Sequence, residues 1–172
     1  MIALITGGSG CGKSTYAEKL VSQLPAQNRV YIATMQVYDA ESRIRVARHR
    51  AQRADKGFVT VECPRDLDGA HIEPDGTALL EDLPNLLANE MFDGGSAERI
   101  FPAIMALSRQ CRDLIIATND VFCDGVVYPD STQEYIRRLA ALNCRIARVA
   151  DYVAEVVYSI PVTLKGAAPC AL

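Results

Sequence analysis

Residues 7–14 read Gly7-Gly8-Ser9-Gly10-Cys11-Gly12-Lys13-Ser14, and few folds can put such a run to use. A phosphoryl group is held well where several backbone N–H groups converge, and a glycine-rich turn at the start of a helix supplies them without side-chain obstruction. The setting meets that need: Ile2 to Thr6 is strand-like, and Tyr16-Ala17-Glu18-Lys19-Leu20-Val21 has helical spacing. In Gly7-x4-Gly12-Lys13-Ser14 the ammonium of Lys13 reaches the β- and γ-phosphates, and the hydroxyl of Ser14 is a ligand for Mg²⁺. All eight residues, Gly7, Gly8, Ser9, Gly10, Cys11, Gly12, Lys13 and Ser14, are therefore expected to bind ATP or GTP. Lys13 is also expected to be catalytic, and Ser14 to be the metal contact.

The rest of the chain agrees with a strand–loop–helix start. Strand-like segments recur at 2–6, 29–34, 58–62, 77–81, 113–118 and 152–158, with helical spacing at 13–24, 39–53, 83–92, 97–110 and 131–150. That alternation predicts an α/β fold, a mostly parallel sheet flanked by helices. At 172 residues the chain is long enough for one well-filled core, so residues 1–172 are read as a single nucleotide-binding domain. No apolar run reaches the ~20 residues needed to span a bilayer, and the opening strand lacks a basic leader, so a cytoplasmic protein is expected. The six cysteines form no CxxC pair and read as free thiols. A formal net charge of -3 argues against a nucleic-acid partner held by phosphate contacts.

Ligands of open α/β sheets collect beyond the carboxyl ends of the strands. Those positions are polar here: Thr34 and Gln36, Glu62, Glu81 and Asp82, then Thr118, Asn119 and Asp120. Ala78-Leu79-Leu80-Glu81-Asp82 is apolar strand followed by acid, the arrangement that organises a metal or a nucleophile in phosphoryl transfer. Thr118-Asn119-Asp120-Val121 lacks the lysine of a guanine-reading Asn-Lys-x-Asp sequence, which disfavours a signalling GTPase. Between the second and third strands, helical register puts Arg45, His49 and Arg53 on one face, inside a run that also holds Arg43, Arg48 and Arg50. Like charges at that spacing repel unless an anion lies against them. A neutral imidazole among arginines is a competent nucleophile toward an activated phosphate, which singles out His49 over His71.

In order and spacing these features resemble the adenosylcobinamide kinase/adenosylcobinamide-phosphate guanylyltransferase family, bifunctional enzymes of late cobalamin synthesis. The likeness runs through Thr6-Gly7-Gly8 into Gly12-Lys13-Ser14, Tyr31-Ile32-Ala33-Thr34, Arg48-His49-Arg50 with Arg53, and Leu79-Leu80-Glu81. It continues through Thr118-Asn119-Asp120-Val121, Gly125-Val126-Val127 with Pro129, Asn143 and Ala150-Asp151. The resemblance implies a RecA-like P-loop fold, a homo-oligomer such as a trimer, and a corrinoid (adenosylcobinamide) as partner substrate beside GTP or ATP. It also implies two reactions: phosphorylation of adenosylcobinamide, then GMP transfer through a guanylylated histidine. By motif that histidine falls on His49, and the nucleotide contacts outside the glycine loop fall on Thr34, Arg50, Ala51, Gln52, Arg53, Glu62 and Glu81.

The chain departs from the family's usual pattern at Asp120 and Phe122, where Glu and Gly are common, and at Arg137, Ala140 and Cys144. Two further classes stay open: a kinase for another alcohol without guanylyl transfer, and a non-catalytic GTP-dependent switch. Within 131–150, Asn143 lies in line with the apolar stripe, so its amide is expected to hydrogen-bond the loop after Thr118.

Overall fold

Ile2, Ala3, Leu4 and Ile5 are buried, the pattern of a strand covered on both faces, and they form the inner strand of a parallel sheet. The computed structural model describes residues 1–36, 44, 47, 56–122 and 125–170. Among the described residues seven strands are present: β1 (Ile2–Thr6), β2 (Arg29–Ala33), β3 (Phe58–Glu62), β4 (Thr77–Glu81), β5 (Asp113–Ala117), β6 (Tyr152–Val157) and β7 (Ile160–Lys165). They lie in the order β3-β2-β4-β5-β1-β6-β7, and every neighbouring pair is parallel except β6 and β7. Four helices lie wholly within the described residues, α1 (Lys13–Gln23), α2 (Leu83–Phe92), α3 (Ile100–Gln110) and α4 (Asp130–Val149).

The sheet divides two cores. On one face Tyr16, Ala17, Leu20 and Val21 of α1 pack against Ala3, Ile5, Tyr31, Leu79 and Ile115. On the other, apolar residues of α2, α3 and α4 cover Leu4, Ile32, Leu80, Leu114 and Ile116. Alternation of side chains along each strand sorts these residues, so the two sets differ in parity within β1, β2, β4 and β5.

All six expected strands form within a residue of the expected bounds, and the mostly parallel, helix-flanked sheet is as the alternation predicts. Residues 97–110 split into a 3₁₀ turn at Ala97–Arg99 followed by α3. The antiparallel β7 was not expected. Pro161 interrupts its pattern, and the turn before it is Tyr158-Ser159, both at positive φ, without the glycine or asparagine that marks most such turns. Pro161 is tolerated because β7 is an edge strand. The expected helix at 39–53 lies largely outside the described residues; of it Ile44 and Ala47 are described, both helical and exposed. No helix among the described residues is long and apolar enough to cross a membrane.

One buried amide holds the carboxyl end of the sheet together. Asn89 of α2 donates from Nδ2 to the carbonyls of Thr34 and Pro64, each at 2.8 Å, tying the end of β2 to the loop after β3. Asn89→Ala leaves two carbonyls unpaired in a buried site, and a loss of about 2 to 4 kcal/mol is expected in urea unfolding. A loss under about 0.5 kcal/mol would show that these bonds do not hold the rim.

Candidate active site

α1 begins without help from its own side chains. No side chain caps Gly12, and the first turn carries no acidic residue. By contrast, Asp82 Oδ1 caps α2 by accepting from Asn85 N at 2.8 Å. The first-turn amides of α1 therefore point at an anion the protein does not provide, backed by the helix dipole. Lys13 Nζ rests 3.2 Å from the Gly8 carbonyl, folded over the loop it would leave to meet a phosphate.

Two glycines of the loop are required by contact as well as by φ. A Cβ on Gly7 (φ +145°) would lie 2.6 Å from the Val156 carbonyl oxygen, and one on Gly12 (φ +96°) 2.5 Å from Ser159 Oγ. Both obstructions come from β6 and the turn that follows it. Ser159 N also donates to the Cys11 carbonyl at 2.7 Å, so the β6–β7 turn braces the glycine loop from beside it. Sequence reasoning missed Ser159, because nothing in Tyr158-Ser159 announces a turn.

The carboxylates gather at the end of β4, two strands from β1. In register, Glu62 and Glu81 flank Ala33, one on each side of β2, and alternation sets this row on the α1 face with Ile5. Glu62 is exposed on the edge strand, while Glu81 keeps a buried Oε2 without a hydrogen-bond partner among the described residues. Beside it, across a cis peptide, Asp82 has its pKa pushed up to about 6, first by burial and then by the Glu81 charge. The amide of Asn85 and the ammonium of Lys13 oppose that rise, the latter placing Lys13 within electrostatic reach of Asp82. Asp82, noted in sequence only as a strand-end acid, is thus a rim carboxyl whose acidity the fold weakens.

Thr34, read as a nucleotide contact, is fully buried. Its hydroxyl donates to the Asp82 carbonyl at 2.8 Å and accepts from Asp82 N at 2.8 Å, so it fixes the β2–β4 junction behind the rim. The glycine loop, Lys13, Ser14 and Glu81 are brought to one end of the sheet, whereas Glu62 stands at its far edge. Arg45, Arg48, His49, Arg50, Ala51, Gln52 and Arg53 lie outside the described residues.

On the face opposite α1, a groove of about 300 Å³ opens beside the loop between α4 and β1, β6 and β7. Thr6, Thr118, Asp120, Asn143 and Glu155 give it polar positions, and Phe122, Ala147 and Leu164 apolar ones. Asp120, Phe122 and Cys144, three of the departures, all line it, while Arg137 is exposed and paired with Glu134 at 3.5 Å. The expectation for Asn143 holds: Thr118 Oγ1 donates to its Oδ1 at 2.8 Å, and its Nδ2 donates to the Asn119 carbonyl at 3.4 Å. The described cysteines, Cys11, Cys63, Cys111, Cys144 and Cys170, are free.

A glycine loop at an uncapped helix start, with lysine and carboxylates around it, defines a P-loop nucleotide-binding protein. Its fold is matched by the flagellar accessory protein FlaH of Methanocaldococcus jannaschii, with a TM-score of 0.54 over 99% of this chain and 80% of that one. At 11% identity that likeness speaks to the fold alone, a RecA-like one. Residues 3–164 match the family described as cobinamide kinase / cobinamide phosphate guanyltransferase. The bifunctional adenosylcobalamin biosynthesis protein CobU of Salmonella typhimurium is 33% identical, and that of Escherichia coli 31%, each alignment spanning 96% of this chain and 100% of the relative. The chain belongs to the cobinamide kinase / cobinamide phosphate guanyltransferase family, and is a transferase with kinase and guanylyltransferase activities in cobalamin biosynthesis.

The Asp82 carboxyl supplies a pH test. Its folded pKa lies above the ordinary carboxyl value of 3.8, so protonation favours the fold. This contribution is complete below about pH 4 and lost as pH rises through about 6. With Asp82 keeping some contact with solvent, the effect is on the order of 1 to 3 kcal/mol. Asp82→Asn keeps a helix-capping side chain and removes the titration. Urea unfolding at pH 4.5 and 7.5 is expected to show the variant gaining on wild type at the higher pH, and the same pH slope in both proteins would contradict the assignment.

Proposed function

We propose that one phosphate loop serves both activities, phosphorylating adenosylcobinamide from a nucleoside triphosphate and then directing GMP from GTP onto the product through His49. The observation that carries this reading is the start of α1, whose amides and Lys13 await an anion next to Glu81 and Asp82. In the first reaction the acceptor hydroxyl attacks the γ-phosphorus, the bridging oxygen leaves with the nucleoside diphosphate, and the hydroxyl proton passes to Glu81. In the second, a neutral His49 nitrogen attacks the α-phosphorus of GTP and pyrophosphate departs. The phosphate of adenosylcobinamide phosphate then takes GMP from the histidine. Splitting the transfer spares an anionic phosphate from meeting an anionic triphosphate directly, while Arg50 and Arg53 neutralise charge on the group in transit.

Magnesium would arrive with the nucleotide. Among the described residues no group of three or more His, Cys, Asp or Glu could hold a metal. Mg²⁺ asks for little protein, being bound largely by phosphates and water. The Ser14 hydroxyl in the first turn of α1 fits that demand, with the neighbouring carboxylates of Glu81 and Asp82 adding negative charge. Bound there, the ion would neutralise charge on the β- and γ-phosphates.

Residues 1–172 are read as one domain, working in the cytoplasm as a homo-oligomer, a trimer. Support for assembly comes from β7, an edge strand whose Ile160, Val162 and Leu164 are exposed. The contacts assigned to Thr34, Glu62, Arg50, Ala51, Gln52 and Arg53 belong to the same reading, with Thr34 acting through the rim it fixes.

Two measurements test it. Lys13→Ala is expected to weaken triphosphate binding at least 100-fold in calorimetry while circular dichroism stays unchanged; wild-type affinity in the folded variant would refute the role of the loop. Incubation with GTP labelled at the α-phosphate is expected to leave acid-labile, base-stable label on the denatured wild type and none on His49→Ala. Absence of label from the wild type, or equal label on both, would sink the guanylyl-histidine.

A further inference from the structure

β5 lies between β4, which carries Glu81, and β1, which feeds the glycine loop, at about 4.8 Å from each. The register Leu80↔Ile116 and Ile5↔Ala117 brings the ends of the three strands level. Asn119 stands two residues beyond Ala117, just as Gly7 stands two beyond Ile5. Its backbone is pinned on both sides. Thr118 N donates to the Ile5 carbonyl at 2.9 Å and Asp120 N to the Gly7 carbonyl at 3.4 Å, so the segment is stitched to the loop. On the other side Asn143 of α4 holds the Thr118 hydroxyl and the Asn119 carbonyl.

The Asn119 side chain, by contrast, is unspent. Its Oδ1 is buried and finds no hydrogen-bond partner among the described residues, as is true of Glu81 Oε2 on the next strand. Thr118 faces α4, and alternation along an extended chain sets Asn119 toward the α1 side, where the loop is. A buried amide oxygen without a partner carries a penalty of about 1 to 3 kcal/mol that a ligand could relieve. Lys13 can only donate and an ionised Glu81 can only accept, whereas an amide does both. Phosphoryl transfer asks for both together: a donor for an equatorial oxygen of the moving group and an acceptor for the entering hydroxyl.

We propose that Asn119 is a catalytic residue of the phosphoryl-transfer step, donating from Nδ2 to the terminal phosphoryl group and accepting at Oδ1 from the attacking hydroxyl. The oxygen–γ-phosphorus bond to the acceptor forms as the bridging bond breaks, the nucleoside diphosphate keeps the electron pair, and the hydroxyl's one proton, held toward Asn119 Oδ1 before attack, turns to Glu81 and is transferred there as the new bond forms. Attack of His49 on the α-phosphorus makes no use of Asn119, so the residue separates the two activities. This rests on the reading that the loop binds a triphosphate for transfer to an alcohol.

The test compares wild type with Asn119→Ala and Asn119→Asp by calorimetry, using Mg²⁺ with GDP alone and Mg²⁺ with GDP and aluminium fluoride, a planar mimic of the group in flight. Both variants are expected to bind GDP within about threefold of wild type and the fluoride complex about 100-fold more weakly. In turnover with adenosylcobinamide, kcat falls about 100-fold at a triphosphate KM within threefold, while α-phosphate labelling at His49 persists. Unchanged affinity for the fluoride complex, or an equal loss for GDP and its fluoride complex, overturns the assignment. Should wild type fail to phosphorylate adenosylcobinamide while the fluoride difference stands, the acceptor is wrong and Asn119 keeps its role.

Discussion

The amides at the start of α1 set the terms for everything around them. A helix start carries roughly half a positive charge, and most helices answer it with a Ser, Thr, Asp or Asn cap. Here the capping position is Gly12 at left-handed φ, and the answer has to come from outside the chain. Lys13 folds back onto a carbonyl of the same loop, and Gly7 and Gly12 admit no side chain because Val156 and Ser159 crowd them. At the end of β4 two acids sit side by side, and burial together with the Glu81 charge drives Asp82 toward neutrality. An anion and its counter-ion would discharge the whole arrangement together.

Much of this was legible in sequence because it depends on local pattern. The glycine loop needs a strand before and a helix after, and both are readable from apolar spacing over a few residues. The parallel sheet followed from alternation, and Asn143 from one amide lying in line with an apolar stripe. What escaped depends on partners far away in the chain. Thr34, which the resemblance makes a nucleotide contact, has its hydroxyl bonded to Asp82, 48 residues on, a partnership no local pattern announces. Asp82 gave no hint of its altered acidity, since burial and a neighbouring carboxylate are features of the folded rim. β7 hid behind a proline and a turn of two non-glycine residues at positive φ.

Three of the five departures from the family pattern share an address. Asp120, Phe122 and Cys144 line one groove on the α4 face, opposite α1 and beside the glycine loop. Substitutions that cluster there alter the wall beside the glycine loop on the face opposite α1. Thr118 and Asn143 stay bonded beneath them, so the groove's floor is fixed while its lining differs. Phe122 sets a ring where the family commonly has no side chain, and a chain that admits it there must shape whatever approaches from that side.

Ser159 belongs to the turn that leads into the outermost strand, yet its backbone N–H ends on the Cys11 carbonyl inside the glycine loop. Edge and loop are therefore joined directly, main chain to main chain. Whatever covers Ile160, Val162 and Leu164 and prefers one pose of that turn must alter triphosphate affinity by some factor, and nucleotide must alter the covering by the same factor.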